Sequence, residues 1–527
     1  MQRRQFLAGM SALGVTSLAC PALSQSRART LKFVPHAALS SVDPIWTTAA
    51  VTRNHGYMVF DSLYGLDADL APQPQMAEGA LLENGGTTCT ITLRSGLRFH
   101  DGEPVRAVDC VASLRRWMKR SAIGQKLESV TDELSAVDDL RIRFRLKRPF
   151  PLLLNALGAV GPQALIMPER LAKTDPFQQV REVVGSGPYR FKADEFNVGA
   201  LSVYERNPDY SPTPAGKTEL TAGPKIAHFD RVEWHVIPDA STAASALQSG
   251  EIDWFEQPPS DLLELFRRNQ NLIVAPLDKY PQVGGARFNH LNPPFNNKQM
   301  RQALLPMISQ QEFMLAVSGD ERSLWQDKVG FFTPGSPYAS AAGTEKLSPN
   351  GDVARTKELL KAAGYTDQPM KQLGATDLSS VSALSLVLED VLRRAGMKND
   401  IAMSDWGTVV QRRASREPLE RGGWSVFCTS FAWFEYIDPA VNIVLRGNGP
   451  SAFFGWPAIP EMEILRDTWF EASDDAVRKQ LAETMQKVAF EELPMLPLGA
   501  FFQVTCHRNN LEGRLQQLPT FWNIRRK

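Results

Sequence analysis

Arg98-Phe99-His100-Asp101-Gly102-Glu103-Pro104 lies between two segments of different periodicity. Before it, residues 87–93 alternate polar and apolar, as a half-buried strand does. After it, Val108, Val111, Leu114 and Trp117 recur at the spacing of one helix face, beginning near Ala107. Asp101-Gly102 is a tight-turn dipeptide, because glycine takes positive φ at no steric cost. The stretch therefore reads as a strand–turn–helix joint. His100 beside Asp101 could suggest catalysis or metal binding, but the turn accounts for the pair.

Working outward, the pattern is mixed α/β. Strands are expected at residues 31–34, 141–146, 189–191, 201–206, 232–237 and 252–254, with helices at 51–63 and 240–247. Beyond Arg287 the expected helices are 300–317, 352–363, 382–395 and 474–492. An unusually aromatic strand region covers 424–434, and a last strand covers 501–505. No internal repeat or low-complexity tract is present. Gly and Pro, 36 of each, are spread evenly, so lobes must be joined by short crossovers rather than a linker.

The chain begins with Arg3-Arg4-Gln5-Phe6-Leu7, an apolar run over residues 8–19, and Ala22-Leu23-Ser24. A charged start, a short apolar stretch and a small-residue end describe an export signal, and the paired arginines point to the twin-arginine route. A cytosolic N-terminal helix is the bland alternative, and lipid attachment at Cys20 a second one. The remainder holds 56 basic and 58 acidic residues, which gives no electrostatic case for nucleic acid or an anionic membrane. At about 500 residues it needs more than one core. Cys89, Cys110, Cys428 and Cys506 show no dense spacing and are expected as isolated apolar residues, a Cys89–Cys110 bridge being the one conceivable pair.

Enzyme signatures are missing. There is no Gly-x-Ser-x-Gly elbow, no His-Glu-x-x-His and no Cys-x-x-Cys. Gly216-Lys217-Thr218 ends like a phosphate loop, but Ser211 stands where glycine is required. An enzyme is therefore not expected, and neither a metal nor a cofactor.

Residues 98–104, with Ala107, Asp109 and Ser113 following, closely resemble the signature of the family 5 extracellular solute-binding proteins, the group of dipeptide, oligopeptide and nickel receptors of ABC importers. Other landmarks fall in that family's order: Asp43-Pro44, Gly185-Ser186-Gly187-Pro188-Tyr189, Gly250-Glu251-Ile252-Asp253, Phe288-Asn289 with Pro293-Pro294-Phe295 and Arg301-Gln302-Ala303, residues 359–365, and Pro494 with Pro497-Leu498. The resemblance spans residues 30 to about 510. It implies a two-lobed, type II periplasmic-binding-protein fold with a third, inserted domain. Lobe I would comprise residues 27–72, 187–278 and 496–527, the inserted domain 73–186, and lobe II 279–495. It also implies a monomeric periplasmic receptor that closes on a peptide-like ligand and delivers it to separate permease and ATPase subunits. A nickel or heme complex is the runner-up ligand.

Two stretches have the composition of a polar-ligand cleft, apolar walls with a few charges. One is Ser404-Asp405-Trp406-Gly407 with Arg412-Arg413; the other is residues 427–438, with Phe431, Trp433, Phe434, Glu435, Tyr436 and Asp438. A buried aromatic strand is the alternative reading of the second. In the peptide receptors a Trp, an Arg and a strand ending in Trp and Asp line the cleft. Trp406 and Arg413 match the first pair. Glu435 stands where those receptors hold the Asp that pairs with the ligand's α-ammonium, and Trp433 is displaced by one residue. The expected ligand contacts are Trp406, Arg413, Phe431, Trp433, Phe434, Glu435 and, from the first lobe, Trp46.

Overall fold

The computed structural model describes residues 29–161, 163–472, 474–516 and 518–527. The expected leader at 1–24, with Cys20, lies outside the described residues.

Two mixed sheets organise the molecule. The first has seven strands in the order Tyr189–Phe191, Leu201–Arg206, Arg231–His235, Thr30–Val34, Trp254–Phe255, Val504–Arg508, Leu272–Pro276. Thr30–Val34 is its centre and runs parallel to both neighbours, and its Leu31 and Phe33 are fully buried. Phe33 packs against Trp254 and Phe521 with ring centres 4.9 and 5.0 Å apart. The second sheet has six strands in the order Trp325–Gln326, Met495–Phe501, Gln282–Phe288, Val426–Phe431, Met370–Ala375, Asn399–Ser404. A third, antiparallel sheet, Ala77–Glu83, Thr88–Leu93, Arg141–Leu146 and Thr131–Ala136, carries the helices Ala107–Met118 and Ala122–Val130.

The chain leaves the first sheet for the second at residues 277–281 and returns at 502–503. The backbone N–H of Leu277 donates to Gln503 O at 2.7 Å, so the two crossovers are tied together. The expected division at 495/496 is corrected here. Met495–Phe501 hydrogen-bonds within the second sheet, and only after it does the chain cross back. Pro494 and Pro497 do not break this strand: Pro497 has no N–H to give and sits beside a register shift opposite Gly284 and Gly285. The strand expected at 501–505 is thus the end of one strand and the start of another. The helix expected over 300–317 is also interrupted. Pro306 cannot continue it, and the segment becomes Lys298–Gln302, a single tight turn at Leu305–Met307, and Gln310–Ser318.

The motif at 98–104 is a brace. Gly102 takes φ of +91°, and its N–H donates to Phe99 O at 3.0 Å. The backbone N–H of His100 donates to Gly185 O at 2.8 Å, and its Nε2 lies 3.1 Å from Gly187 O. Gly185 and Gly187 in turn press on the end of the helix Ala50–Val59. A Cβ at Gly185 would stand 2.1 Å from Val59 O. Burial pushes the His100 imidazole down to about 4, so it is neutral. Asp109 caps its own helix through Arg106 N–H at 2.9 Å and accepts Glu169 N–H at 2.7 Å. Ser113 Oγ is within 3.0 Å of Met167 N and O. Asp43 of the early Asp-Pro holds Arg116 through two bonds of 3.0 and 2.7 Å, both side chains fully buried, and takes the N–H groups of Ile45, Trp46 and Val180. These landmarks lock the four-stranded domain onto the first lobe.

Cys89, Cys110, Cys428 and Cys506 are free and buried. Among the described residues no helix is long and apolar enough to cross a membrane.

Candidate functional site

The two large sheets face each other across a narrow cleft with about 60 Å³ of open room. A single water needs about 10–15 Å³ on that measure, so the cleft is closed down to the size of a compact polar group.

On the first-lobe side, His36 and Glu256 stand just beyond the C-terminal ends of adjacent parallel strands, Thr30–Val34 and Trp254–Phe255. Ligands of α/β sheets collect at such ends. Glu256 Oε2 lies 2.7 Å from both the His36 backbone N and its Nδ1. Arg53 rises from the helix Ala50–Val59 with its guanidinium 5.0 Å from the centre of the Phe434 ring, and its Nε has no partner among the described residues. Asp278 sits in the first crossover, 5% exposed, on the side of the Trp433 indole. Burial lifts its carboxyl from 3.8 to about 7, against the pull of Arg53.

On the second-lobe side, Asp405 caps the helix Trp406–Arg412 by accepting Thr408 N–H at 2.9 Å. That helix delivers Trp406 and, at its end, Arg413 to the cleft. Arg413 is 2% exposed, and its guanidinium lies 4.7–5.8 Å from the ring centres of Phe454, Trp406, Phe453 and Phe427. Burial pushes it down to about 9, partly offset by the Glu435 charge. Its Nε is unpartnered, and it forms no salt bridge among the described residues.

Phe431 ends the strand Val426–Phe431 and lines the cleft. The aromatic strand expected to continue to Phe434 stops there. Trp433–Glu435 form a tight 3-10 turn, which turns the three side chains in different directions. Glu435 reaches the cleft, its Oε2 accepting Ala432 N–H at 2.9 Å. Burial raises its carboxyl, opposed by Arg53, that N–H and Arg413. Phe434 lies behind the cleft beneath Arg53. Trp433 also stands behind it, its ring 5.2 Å from Tyr280 and its indole acting on Asp278. Trp46 faces a different, neighbouring cavity and donates its indole N–H to Phe177 O at 3.2 Å.

Of the seven residues expected from the sequence, Trp406, Arg413, Phe431 and Glu435 thus share one cleft, while Trp433, Phe434 and Trp46 do not line it. The sequence reading missed His36, Arg53, Glu256 and Asp278. For His36, Glu256 and Asp278 the usable signal was position just past a strand end; Arg53, inside the helix Ala50–Val59, carried no such mark. No group of three or more His, Cys, Asp and Glu side chains placed to hold a metal ion occurs among the described residues.

Residues 71–443 match the bacterial extracellular solute-binding proteins, family 5 middle. The chain belongs to this family. A probable peptide ABC transporter periplasmic-binding protein, y4tO of Sinorhizobium fredii strain NBRC 101917 / NGR234, is 35% identical over 530 residues, covering 100% of this chain and 99% of the relative. The glutathione-binding protein GsiB of Salmonella typhi is 25% identical over 536 residues, 96% of this chain and 95% of the relative. Among solved structures, a similar fold occurs in the binding protein AgaA from A. tumefaciens R10, in complex with agropinic acid. It has a TM-score of 0.78 at 20% identity over 94% of this chain and 99% of that one. The two-lobed, type II architecture of family 5 is therefore that of this chain.

Proposed function

We propose that this chain is the exported receptor of an ABC importer. Its lobes close, without turnover, on a small zwitterionic, peptide-like solute, which is passed to separate permease and ATPase subunits. The observation that carries the reading is a set of unpaired opposite charges in one closed cleft. Among the described residues Arg53 and Arg413 form no salt bridge, and neither do Glu435 and Asp278. A buried charge without a partner is costly, and a zwitterion supplies a carboxylate to one pair and an ammonium to the other. The names of the relatives, a peptide receptor and a glutathione receptor, support the same class. Residues 1–24 serve as the export leader on this reading.

The test is calorimetry and thermal shift on the protein lacking that leader. The ligands are dipeptides, tripeptides, glutathione, opines, nickel and heme, with mass spectrometry of the recovered ligand. A peptide that raises the melting temperature and is recovered intact supports the proposal. A peptide that is consumed, or a response to nickel or heme alone, defeats it. Glu435→Gln should weaken amine-bearing ligands by about 2 kcal/mol.

A further inference from the structure

Beside the cleft lies a larger cavity, about 410 Å³, walled by Trp46, Phe177, Phe453, Phe454 and Trp456. It is built jointly by the segment before the helix Ala50–Val59, the four-stranded domain and the second lobe. Four cationic side chains line it and no carboxylate does, among the described residues. Two of the cations are neutralised nearby. Lys119 pairs with Glu128 at 2.5 Å, and Arg446 with Glu463 at 3.1 Å. Arg120 and Arg416 are not. Arg120 donates to Trp46 O at 2.7 Å and lies 4.9 Å from the Phe177 ring centre. Arg416 donates to Pro450 O at 2.7 Å and lies 5.0 Å from the Trp456 ring centre. Neither forms a salt bridge among the described residues. Each guanidinium has five N–H donors, so each keeps a fork free for an anion while an aromatic ring fixes its plane. Burial and the Arg116 charge both push Arg120 down, a strain that a bound anion relieves.

The cavity adjoins the cleft. Thr48 lines both, and Arg413 stands between them, touching Trp406 in the cleft and Phe453 and Phe454 in the cavity.

We propose that this cavity is a second ligand compartment, in which Arg120 and Arg416 hold a carboxylate on the partly apolar far end of an extended solute whose zwitterionic head occupies the cleft. The assignment of the head rests on the function proposed above; the compartment itself does not. Binding of Ala-Phe, Ala-Phe-Glu and its side-chain amide Ala-Phe-Gln, which keeps the α-carboxylate, is measured by calorimetry on the native protein, Arg416→Gln and Arg120→Gln. Arg416 is exposed, so its replacement leaves folding intact even if that of Arg120 does not. A second arm titrates 4-fluorophenylacetate alone, followed by its fluorine resonance.

The expected result is that Ala-Phe-Glu binds about tenfold more tightly than the amide, that the variants cut this preference to about threefold, and that Ala-Phe is unaffected. Peptide binding with no acid preference, or equal weakening of all three peptides, overturns the compartment. If no peptide binds but the fluorophenylacetate does, and Arg416→Gln abolishes it, the peptide reading falls and the compartment stands. If neither class binds, the compartment falls as well.

Discussion

Arg413 Nη2 donates to Thr48 Oγ1 at 3.2 Å, joining residues 365 positions apart from opposite lobes. The bond exists only while the lobes are together, so it stabilises the closed form and not the folded chain. Thr48→Val should weaken ligand binding by about 1 kcal/mol, and Arg413→Gln by about 2–3 kcal/mol for ligands bearing a carboxylate. The melting temperature without ligand should barely move in Thr48→Val. Calorimetry beside thermal denaturation separates these effects.

Closure brings Gly407 against Ser40. A Cβ at 407 would stand 2.9 Å from Ser40 Cβ, too close for any pair of real carbons. Gly407→Val should therefore hold the lobes apart and leave each lobe's core unchanged. Affinity falls by the fraction of closed form lost, about tenfold or more. Small-angle scattering should show that ligand no longer compacts the variant. A compaction equal to the native protein's would refute the clash.

Asp278 titrates near 7 in the folded protein, above its ordinary 3.8, because burial disfavours its charge. The folded state then holds the proton more tightly than the unfolded one, so stability falls as pH rises through 7. Buried histidines act in the other direction. Burial depresses His55 to about 3 and His100 to about 4, so stability rises with pH, but only up to about 6.5, where free imidazole loses its proton. Asp278→Asn lacks this loss, so its ligand-free melting temperature should gain on that of the native protein as pH rises from about 5 to 8. An ammonium placed beside Asp278 favours its ionised form. Binding an amine below pH 7 should then release a proton, read as a dependence of the binding heat on buffer ionisation.

Asp43 and Arg116 form a buried pair with every carboxylate oxygen occupied. Asp43→Ala leaves a guanidinium buried without its counter-charge and should cost about 3–5 kcal/mol in chemical denaturation. The double change Asp43→Leu with Arg116→Met should recover only part of that loss, because the N–H groups of Ile45, Trp46 and Val180 lose their acceptor.

Landmark residues proved legible because each performs a local covalent or hydrogen-bonding task. Asp101-Gly102 had to turn, Asp109 to cap, Gly185 to let Val59 approach. The second-lobe half of the cleft was legible for a similar reason, since Trp406, Arg413, Phe431 and Glu435 come from two short neighbouring segments. The first-lobe half was not. His36, Arg53, Glu256 and Asp278 are gathered from four separate places by the sheet, and no spacing along the chain marks them. Trp433 was misplaced because a strand would have aimed it into the cleft, whereas the 3-10 turn at 433–435 rotates it away. The return crossover was placed too early because the family landmark Pro494 with Pro497-Leu498 does not mark it: the strand Met495–Phe501 still pairs within the second sheet.

The bond from Leu277 N–H to Gln503 O makes the two crossovers one strap. A pair of chromophores, one on each lobe far from that strap, would convert occupancy of the cleft into a single graded change in energy transfer. The molecule is in this sense already the frame of an optical sensor, and retuning Glu435, Asp278 or Arg416 would change what it reports without touching how it moves.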